Sequence, residues 1–295
     1  MSAKYTFICE HKDQFTIRLM CRVLEVCRSA FHAFVTRSDR RMQRAERDGA
    51  LLTRILEIFK EHKRRYGAPR IHAQLLREGW SVSKKKVAKI MKENSIFPPR
   101  KKKRPPVTTD SNHAMAPSPN LLQREFDCLT PNIAWLTDIT YCATDEGWLY
   151  LACVKDMATR EIVGWSMSDS LQASLCIDAL NMAIMRYRPT SGLILHSDRG
   201  VQYACKDYRK IMACHGFQQS MSRRGNCLDN APMESFFSSI KTEMVHTTRF
   251  VTRQQARREI FEYIEVYYNR QRLHSAVGYA TPCEARAKMT ANMAA

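Results

Sequence analysis

No apolar run in this 295-residue chain approaches the ~18 residues needed to span a bilayer. The opening, MSAKYTFICEHKDQ, lacks the uninterrupted apolar core of a secretory signal, so the sequence reads as cytoplasmic. None of the eleven cysteines forms a C-x-x-C pair, and no Cys/His group has zinc-ligand spacing. Scattered and odd in number, they read as thiols in a reducing compartment. No repeat of solenoid length and no heptad run is visible, which excludes repeat arrays and long coiled coils.

Acidic residues are scarce at one end. The chain carries 47 Lys and Arg against 29 Asp and Glu, a net +18. Residues 1–110 hold 27 basic against 11 acidic side chains, whereas residues 111–295 hold 20 against 18. A positive field concentrated in one third of a chain attracts a polyanion, and displacement of condensed counterions favours nucleic acid.

The basic third has helical periodicity. FTIRLMCRVLEVCRSAFHAFVTR (15–37) reads as two short helices around a turn, with Ser29 capping the second. In 51–67, Leu51, Ile55, Ile58 and Phe59 recur at helical spacing, and Gly67 ends the run. Residues 69–96 suggest a helix–turn–helix. Pro69 suits a first turn, Ile71, Leu75 and Leu76 form an apolar face, and Gly79 breaks the helix. Ser83 then caps a helix whose Val87, Ile90 and Met91 face inward while Lys84, Lys85, Lys86 and Lys89 face out, a pattern that suits a DNA major groove. The stretch 97–120, FPPRKKKRPPVTTDSNHAMAPSPN, has prolines and a basic run but no apolar period, and reads as an extended linker.

Beyond residue 130 the pattern changes. Segments 132–142, 147–154 and 160–167 are rich in β-branched and aromatic residues and read as a three-stranded meander. A helix (171–187), a strand (LILH), a helix (206–216), a strand (217–222) and a helix (232–244) follow. A long amphipathic helix over 252–272 aligns Ala256, Ile260, Ile264 and Tyr268, and Thr252 and Gln255 have capping-box spacing.

Three carboxylates fall at telling points in this order. Asp138 sits mid-strand, Asp198 just past the fourth strand, and Glu234 on the first turn of the helix after the fifth. Singly, each has a structural reading: a hydrogen-bonded strand carboxylate, a turn former before Gly200, and a first-turn acid favoured by the helix dipole. Together, at one sheet edge, three carboxylates can hold two Mg²⁺ ions ~4 Å apart and drive in-line phosphoryl displacement.

The strand order and the 35 residues between Asp198 and Glu234 resemble the DD(35)E core of retroviral integrases and related transposases. The segments WLTDITY, GWLYLACVKD, IVGW, HSDRGVQY, SMSRRGNCLDNAPMESFFSSIKTE and YIEVYYNRQRLHSAVGYATPCEA look, in order, like signatures of the OrfB-type transposases of the IS-three group of bacterial insertion sequences. The resemblance covers roughly 14–285. It implies an α/β fold: an RNase H-like integrase core, a five-stranded mixed sheet with helices, preceded by an all-α helix–turn–helix region. The implied organisation is a helical DNA-binding region (1–96), a basic Pro-rich linker (97–125), the catalytic core (126–245), and a C-terminal helix and tail (246–295).

By the same resemblance, Asp138, Asp198 and Glu234 are the catalytic, metal-binding triad for two Mg²⁺ ions, with Mn²⁺ as a substitute. The expected substrates are double-stranded DNA, both terminal inverted repeats and target. The expected assembly is a homo-oligomer, with an upstream OrfA product or OrfA fusion as a further partner, acting on the bacterial nucleoid and away from membranes. Lys241, seven residues after Glu234 and so near the same helix face, is expected to contact phosphate. Arg199, Arg223 and Arg224 are expected to contact DNA from loops around the triad. Tyr268, Asn269, Arg272 and His274 match the group's end motif, through either DNA contact or packing. The zinc-binding module of retroviral integrases has no counterpart in the sequence. An RNase H-like nuclease that cuts without joining, and a DNA-binding regulator with a relic core, are the alternatives.

Overall fold

The computed structural model describes residues 2–99, 118–124, 130–223 and 227–294. They divide into two compact units, Met1–Pro98 and Pro99–Ala295. Most of the basic linker stretch, including its Lys/Arg run, lies outside the described residues.

The first unit is helical: α1 (Ser2–Glu10), α2 (Ile17–Val23), α3 (Arg28–Glu61), α4 (Ala68–Arg77) and α5 (Lys84–Glu93). Where the sequence pattern suggests separate helices in 15–37 and 51–67, α3 runs unbroken for 34 residues. Its middle, residues 36–47, is exposed, so it shows no apolar period; Arg, Met, Gln, Ala and Glu carry the helix through on propensity alone. Ser29 therefore falls inside the first turn, and Cys27 occupies the N-cap position. Helix α1 was not legible in the sequence pattern either, and its Tyr5 and Ile8 pack with Met20, Cys21 and Phe31.

The other end of α3 packs with α4 and α5, burying Leu51, Ile55, Ile58, Phe59, Ile71, Leu75, Val87, Ile90 and Met91. Leu76 is exposed rather than inward, and Ala73 shares the buried side. Arg54 of α3 pairs with Glu57 and Glu61 on its own helix and, joining α3 to α4, with Glu78 at α4's end. Gly79, at φ +84°, makes the turn between α4 and α5, and the Ser83 hydroxyl accepts from Lys86 N at 3.3 Å.

The second unit comprises β1 (Ala134–Thr144), β2 (Gly147–Asp156), β3 (Ile162–Ser168), α6 (Ala173–Tyr187), β4 (Ile194–Ser197), α7 (Val201–Ala204), α8 (Lys206–Cys214), β5 (Gln218–Met221), α9 (Ala231–Glu243), α10 (Arg253–Phe261) and α11 (Pro282–Ala294). The sheet order is β3-β2-β1-β4-β5. The first three strands form an antiparallel meander; β4 pairs parallel with β1, and β5 parallel with β4. This is the mixed five-stranded sheet expected from the sequence. One face carries the core of Trp135, Val154, Val163, Leu175, Leu180, Leu195, Tyr203 and Tyr208, closed by α6 to α8. Phe236 and Ile240 of α9 are also buried, with Phe236 packed edge-to-face on Tyr268.

Helix α10 is continued by a π-helical stretch, Glu262–Tyr268, and Ala256, Ile260, Ile264 and Tyr268 are buried in line as their spacing demands. Thr252 Oγ1 accepts from Gln255 N at 3.1 Å, and Gln255 Oε1 accepts from Val251 N at 3.0 Å, a capping box shifted back by one residue. Among the described residues, no helix is long and apolar enough to cross a membrane.

Helix α6 lies so close to the sheet that Gly164 is obligatory. A Cβ there would sit 2.2 Å from the Ala179 carbonyl oxygen and 2.8 Å from Ala183 Cβ. Gly164→Ala is expected to cost about 2 kcal/mol or more by forcing α6 away from β3, read as a lower thermal midpoint; an unchanged midpoint would show that the helix can yield.

Candidate active site

Strands β1 and β4 run parallel with Leu136 opposite His196. Two residues further along each chain stand Asp138 and Asp198. A step of two keeps a side chain on the same face of a sheet, and neighbouring strands lie ~4.8 Å apart. Continuing the register sets the two aspartates alongside one another. Asp138 is half-buried within β1, and Asp198 lies just past the end of β4. A local backbone amide orients each carboxylate: Ile139 N donates to Asp138 Oδ1 at 2.8 Å, and Gly200 N to Asp198 Oδ1 at 2.9 Å.

Glu234 sits exposed in the first turn of α9. Two buried contacts hold this helix start to the sheet. Asn230 Nδ2 donates to the carbonyl of Thr137, the residue before Asp138, at 3.2 Å. Lys155 Nζ, from β2, donates to the Pro232 carbonyl at 2.8 Å and lies over the rings of Phe236 and Tyr268. Burial, with the charges of Arg160 and Arg272, pushes the Lys155 ammonium well below the usual lysine range. The sequence pattern does not single out Lys155; its only sign is a charge inside the apolar run LYLACVKD.

The electrostatics separate these acids from the others in the unit. Burial raises the Asp138 carboxyl well above the usual range, the charges of Asp198 and then Glu234 push it the same way, and the Ile139 amide and Lys241 oppose. Other buried acids are neutralised on the spot. Asp156 accepts from Asn132 N, Trp135 Nε1 and Thr159 N and faces Arg286. Glu161 meets Arg286 and the Tyr187 hydroxyl, and Glu243 meets Arg272 and the Tyr263 hydroxyl.

Asp229, a carboxylate near Glu234 in sequence, is held well below the usual range by Arg223 and Arg124. Among the described residues, no three His, Cys, Asp or Glu side chains converge closely enough to hold a metal ion as they stand. As a donor set, Asp138, Asp198 and Glu234 fit a hard divalent cation: all oxygen, and mutually repelling where such an ion would bring compensation.

Lys241 of α9 reaches back toward β1, with its Nζ 4.8 Å from the Tyr141 ring centroid and its charge felt by Asp138 and Cys142. Arg199 Nε donates to the Ser222 carbonyl at 2.8 Å. Arg223 makes three hydrogen bonds to Asp229, through its backbone N, Nε and Nη2. Arg224 lies outside the described residues. In the helical unit, Lys84, Lys85 and Lys89 are exposed, whereas Lys86 is half-buried and ion-paired with Asp48 of α3.

The end motif packs. Asn269 bonds both N and O of Ile162, Arg272 is buried on Glu243, and His274 meets Tyr268 edge-to-face. His196 is also structural, its two ring nitrogens hydrogen-bonded to the Ser220 and Ser222 hydroxyls.

A five-stranded sheet of this order, with one acid within β1, one just past β4 and a third on the helix after β5, defines an integrase-core protein. The comparisons agree. Family models described as integrase core domain match residues 129–227 and 234–289, and one described as HTH-like domain matches 46–104. The transposase InsF for insertion sequence IS3A of Escherichia coli (strain K12) is 41% identical over 279 residues, covering 95% of this chain and 96% of its own.

The insertion element IS600 uncharacterized 31 kDa protein of Shigella sonnei is 42% identical over 269 residues, covering 91% and 98%. The HTLV-2 integrase catalytic core domain, solved in complex with magnesium, aligns with 54% of this chain and 98% of its own at a TM-score of 0.42 and 15% identity. The chain belongs to the transposases of the IS3 insertion-sequence family, integrase-core proteins of DNA transposition.

Burial holds the His196 imidazole down at about 4, below its ordinary 6.5. The unfolded chain therefore takes up the proton first, so this stabilisation is complete above pH 6.5 and is lost as pH falls toward 4. The loss amounts to about 3 kcal/mol. In urea titrations at pH 7 and pH 4, His196→Gln should lose less stability than the wild type by about that amount; parallel losses would refute the assignment.

Proposed function

We propose that Asp138, Asp198 and Glu234 are the catalytic carboxylates of this transposase and hold two divalent cations, Mg²⁺ or in its place Mn²⁺. One observation carries the proposal: three acids from separate elements share one electrostatic site, Asp138 and Asp198 set side by side by the β1–β4 register and Asp138 raised by both Asp198 and Glu234. Bound there, such ions activate an attacking oxygen and steady a leaving one in phosphoryl displacement.

The chain's own residues supply position. The β1–β4 register presents two acids from a rigid sheet, and the Asn230 and Lys155 contacts fix the helix that brings the third. Lys241 adds positive charge beside Asp138, where a DNA phosphate must come. Arg199 and Arg223 brace the loops that follow β4 and β5, and Arg224 is a further candidate for DNA contact. Water attacks the phosphodiester at the element's end, and the bond to the 3′ oxygen breaks to free a 3′-hydroxyl. That hydroxyl then attacks a second phosphodiester, forming one P–O bond as another breaks.

Lys84, Lys85 and Lys89 of α5 meet phosphates of the terminal inverted repeat, with Lys86 steadying α5 through Asp48. Two DNA ends require more than one copy of the chain. An upstream OrfA product or fusion is a further partner of the same complex.

Asp198→Asn is expected to reduce strand transfer in Mg²⁺ by about a thousandfold, ~4 kcal/mol of barrier, with DNA affinity retained; full activity on supplied element ends would overturn the assignment. Replacing Lys84, Lys85 or Lys89 singly with Ala should lower the slope of log affinity against log salt by about 0.9 each, measured by fluorescence anisotropy. Unchanged slopes would remove α5 from the DNA interface.

A further inference from the structure

The strand that carries Asp138 continues into the β1–β2 hairpin, whose opposite face presents two large aromatic side chains. Tyr141 is 38% exposed and Trp148 49% exposed. Their rings meet edge-to-face with centroids 4.9 Å apart. As diagonal neighbours across the hairpin they account for part of its stability, since Tyr141 pairs with Tyr150 and Trp148 with Ala143. That role does not require over a third of each surface to stay open to water. Exposed aromatic pairs beside a cation are the usual equipment for binding single-stranded nucleic acid, because every base presents a π-face.

Three features set this pair against DNA. Lys241 Nζ lies over the Tyr141 ring and also acts on Asp138, so one side chain joins the aromatic pair to the carboxylates. The two acids of the hairpin turn, which would repel a phosphate, are countered: Asp145 by Arg249 at 3.1 Å, and Glu146 by the backbone N of Arg253 at 2.7 Å. Arg253 Nε also donates to the Trp148 carbonyl at 3.1 Å, bracing the hairpin from α10. A step of three along β1 turns Tyr141 to the sheet face opposite Asp138, but β4 pairs only with Ala134–Leu136, which leaves that edge of β1 without β4 beyond Leu136, and Lys241 reaches both the Tyr141 ring and the field of Asp138.

We propose that Tyr141 and Trp148 form a stacking platform for an unpaired nucleobase of the DNA end, joined to the carboxylate site through Lys241. The inference rests on the reading of Asp138, Asp198 and Glu234 as the cutting site. It adds a means of holding the DNA end locally open while Lys241 secures the intervening backbone.

The test uses the full chain in EDTA with two probes: a blunt duplex, and the same duplex with a four-nucleotide 3′ tail bearing 2-aminopurine at successive positions. Wild type and Asp198→Asn should both quench the fluorophore at one or two tail positions. Tyr141→Leu and Trp148→Leu should abolish that quenching and weaken binding of the tailed duplex about tenfold, the ~1.4 kcal/mol of one stacked base, with blunt-duplex affinity kept within about twofold. Trp148→Phe should restore both readouts.

Quenching that persists in the Leu variants, an equal loss on blunt and tailed duplexes, or no quenching at any position would overturn the platform. If Trp148→Leu does not fold, Tyr141→Leu decides alone. Full strand-transfer activity in Asp198→Asn would instead overturn the carboxylate assignment and leave the stacking result standing, so the two failures are distinct.

Discussion

The parallel pairing of β1 with β4 is the constraint on which the candidate site depends. With Leu136 opposite His196, the acids two residues beyond become neighbours across the sheet, although 59 residues of chain lie between them. A slip of one residue would turn one acid to the opposite face. The register is held from both sides. His196 locks β4 to the β5 region through Ser220 and Ser222, and Trp135 anchors β1 in the core and to Asp156. The histidine beside the acid thus acts through strand alignment, as a buried neutral side chain rather than a proton carrier.

Charge in this molecule is handled in two opposite ways. Most buried acids of the second unit are matched locally: Arg286 of α11 pairs with Asp156 at the end of β2 and with Glu161, and Glu243 of α9 meets Arg272 and, from the π-helical stretch, Tyr263. Asp138 is instead burdened by burial and by two further acids. Keeping like charges close costs stability, and the fold nonetheless brings Asp138 within the field of Asp198 and Glu234. Lys155 extends the pattern: a buried amine depressed by desolvation is retained where it grips the helix that carries Glu234.

The helical unit follows a different logic. It carries most of the excess positive charge, and its small cores lie at either end of α3 rather than along it. Arg54 and Lys86 spend their charges on acids that join α3 to α4 and α5. The remaining lysines of α5 project from a scaffold already fixed, which suits a surface that meets phosphates without deforming.

Much was legible from the chain alone. Alternation and turn residues marked the five strands, and helical spacing marked α4, α5 and α9. The positions of Asp138, Asp198 and Glu234 in that order led to the family before any contact was known. The continuity of α3 was not legible, because an exposed helix has no apolar period to reveal it, and the 36–47 stretch rests on propensity. Nor was the division of Arg and Lys side chains into those that brace loops and those left on the surface: Arg223 on Asp229, and Lys86 on Asp48, look in sequence like their exposed neighbours.

The amino-acid order by itself determined which chemistry the chain can bring, through the types and spacing of its acids and its lopsided charge. Only the tertiary structure decided which carboxylates are quenched by a cation and which confront one another, because those partners lie tens of residues away and are selected by packing and strand register.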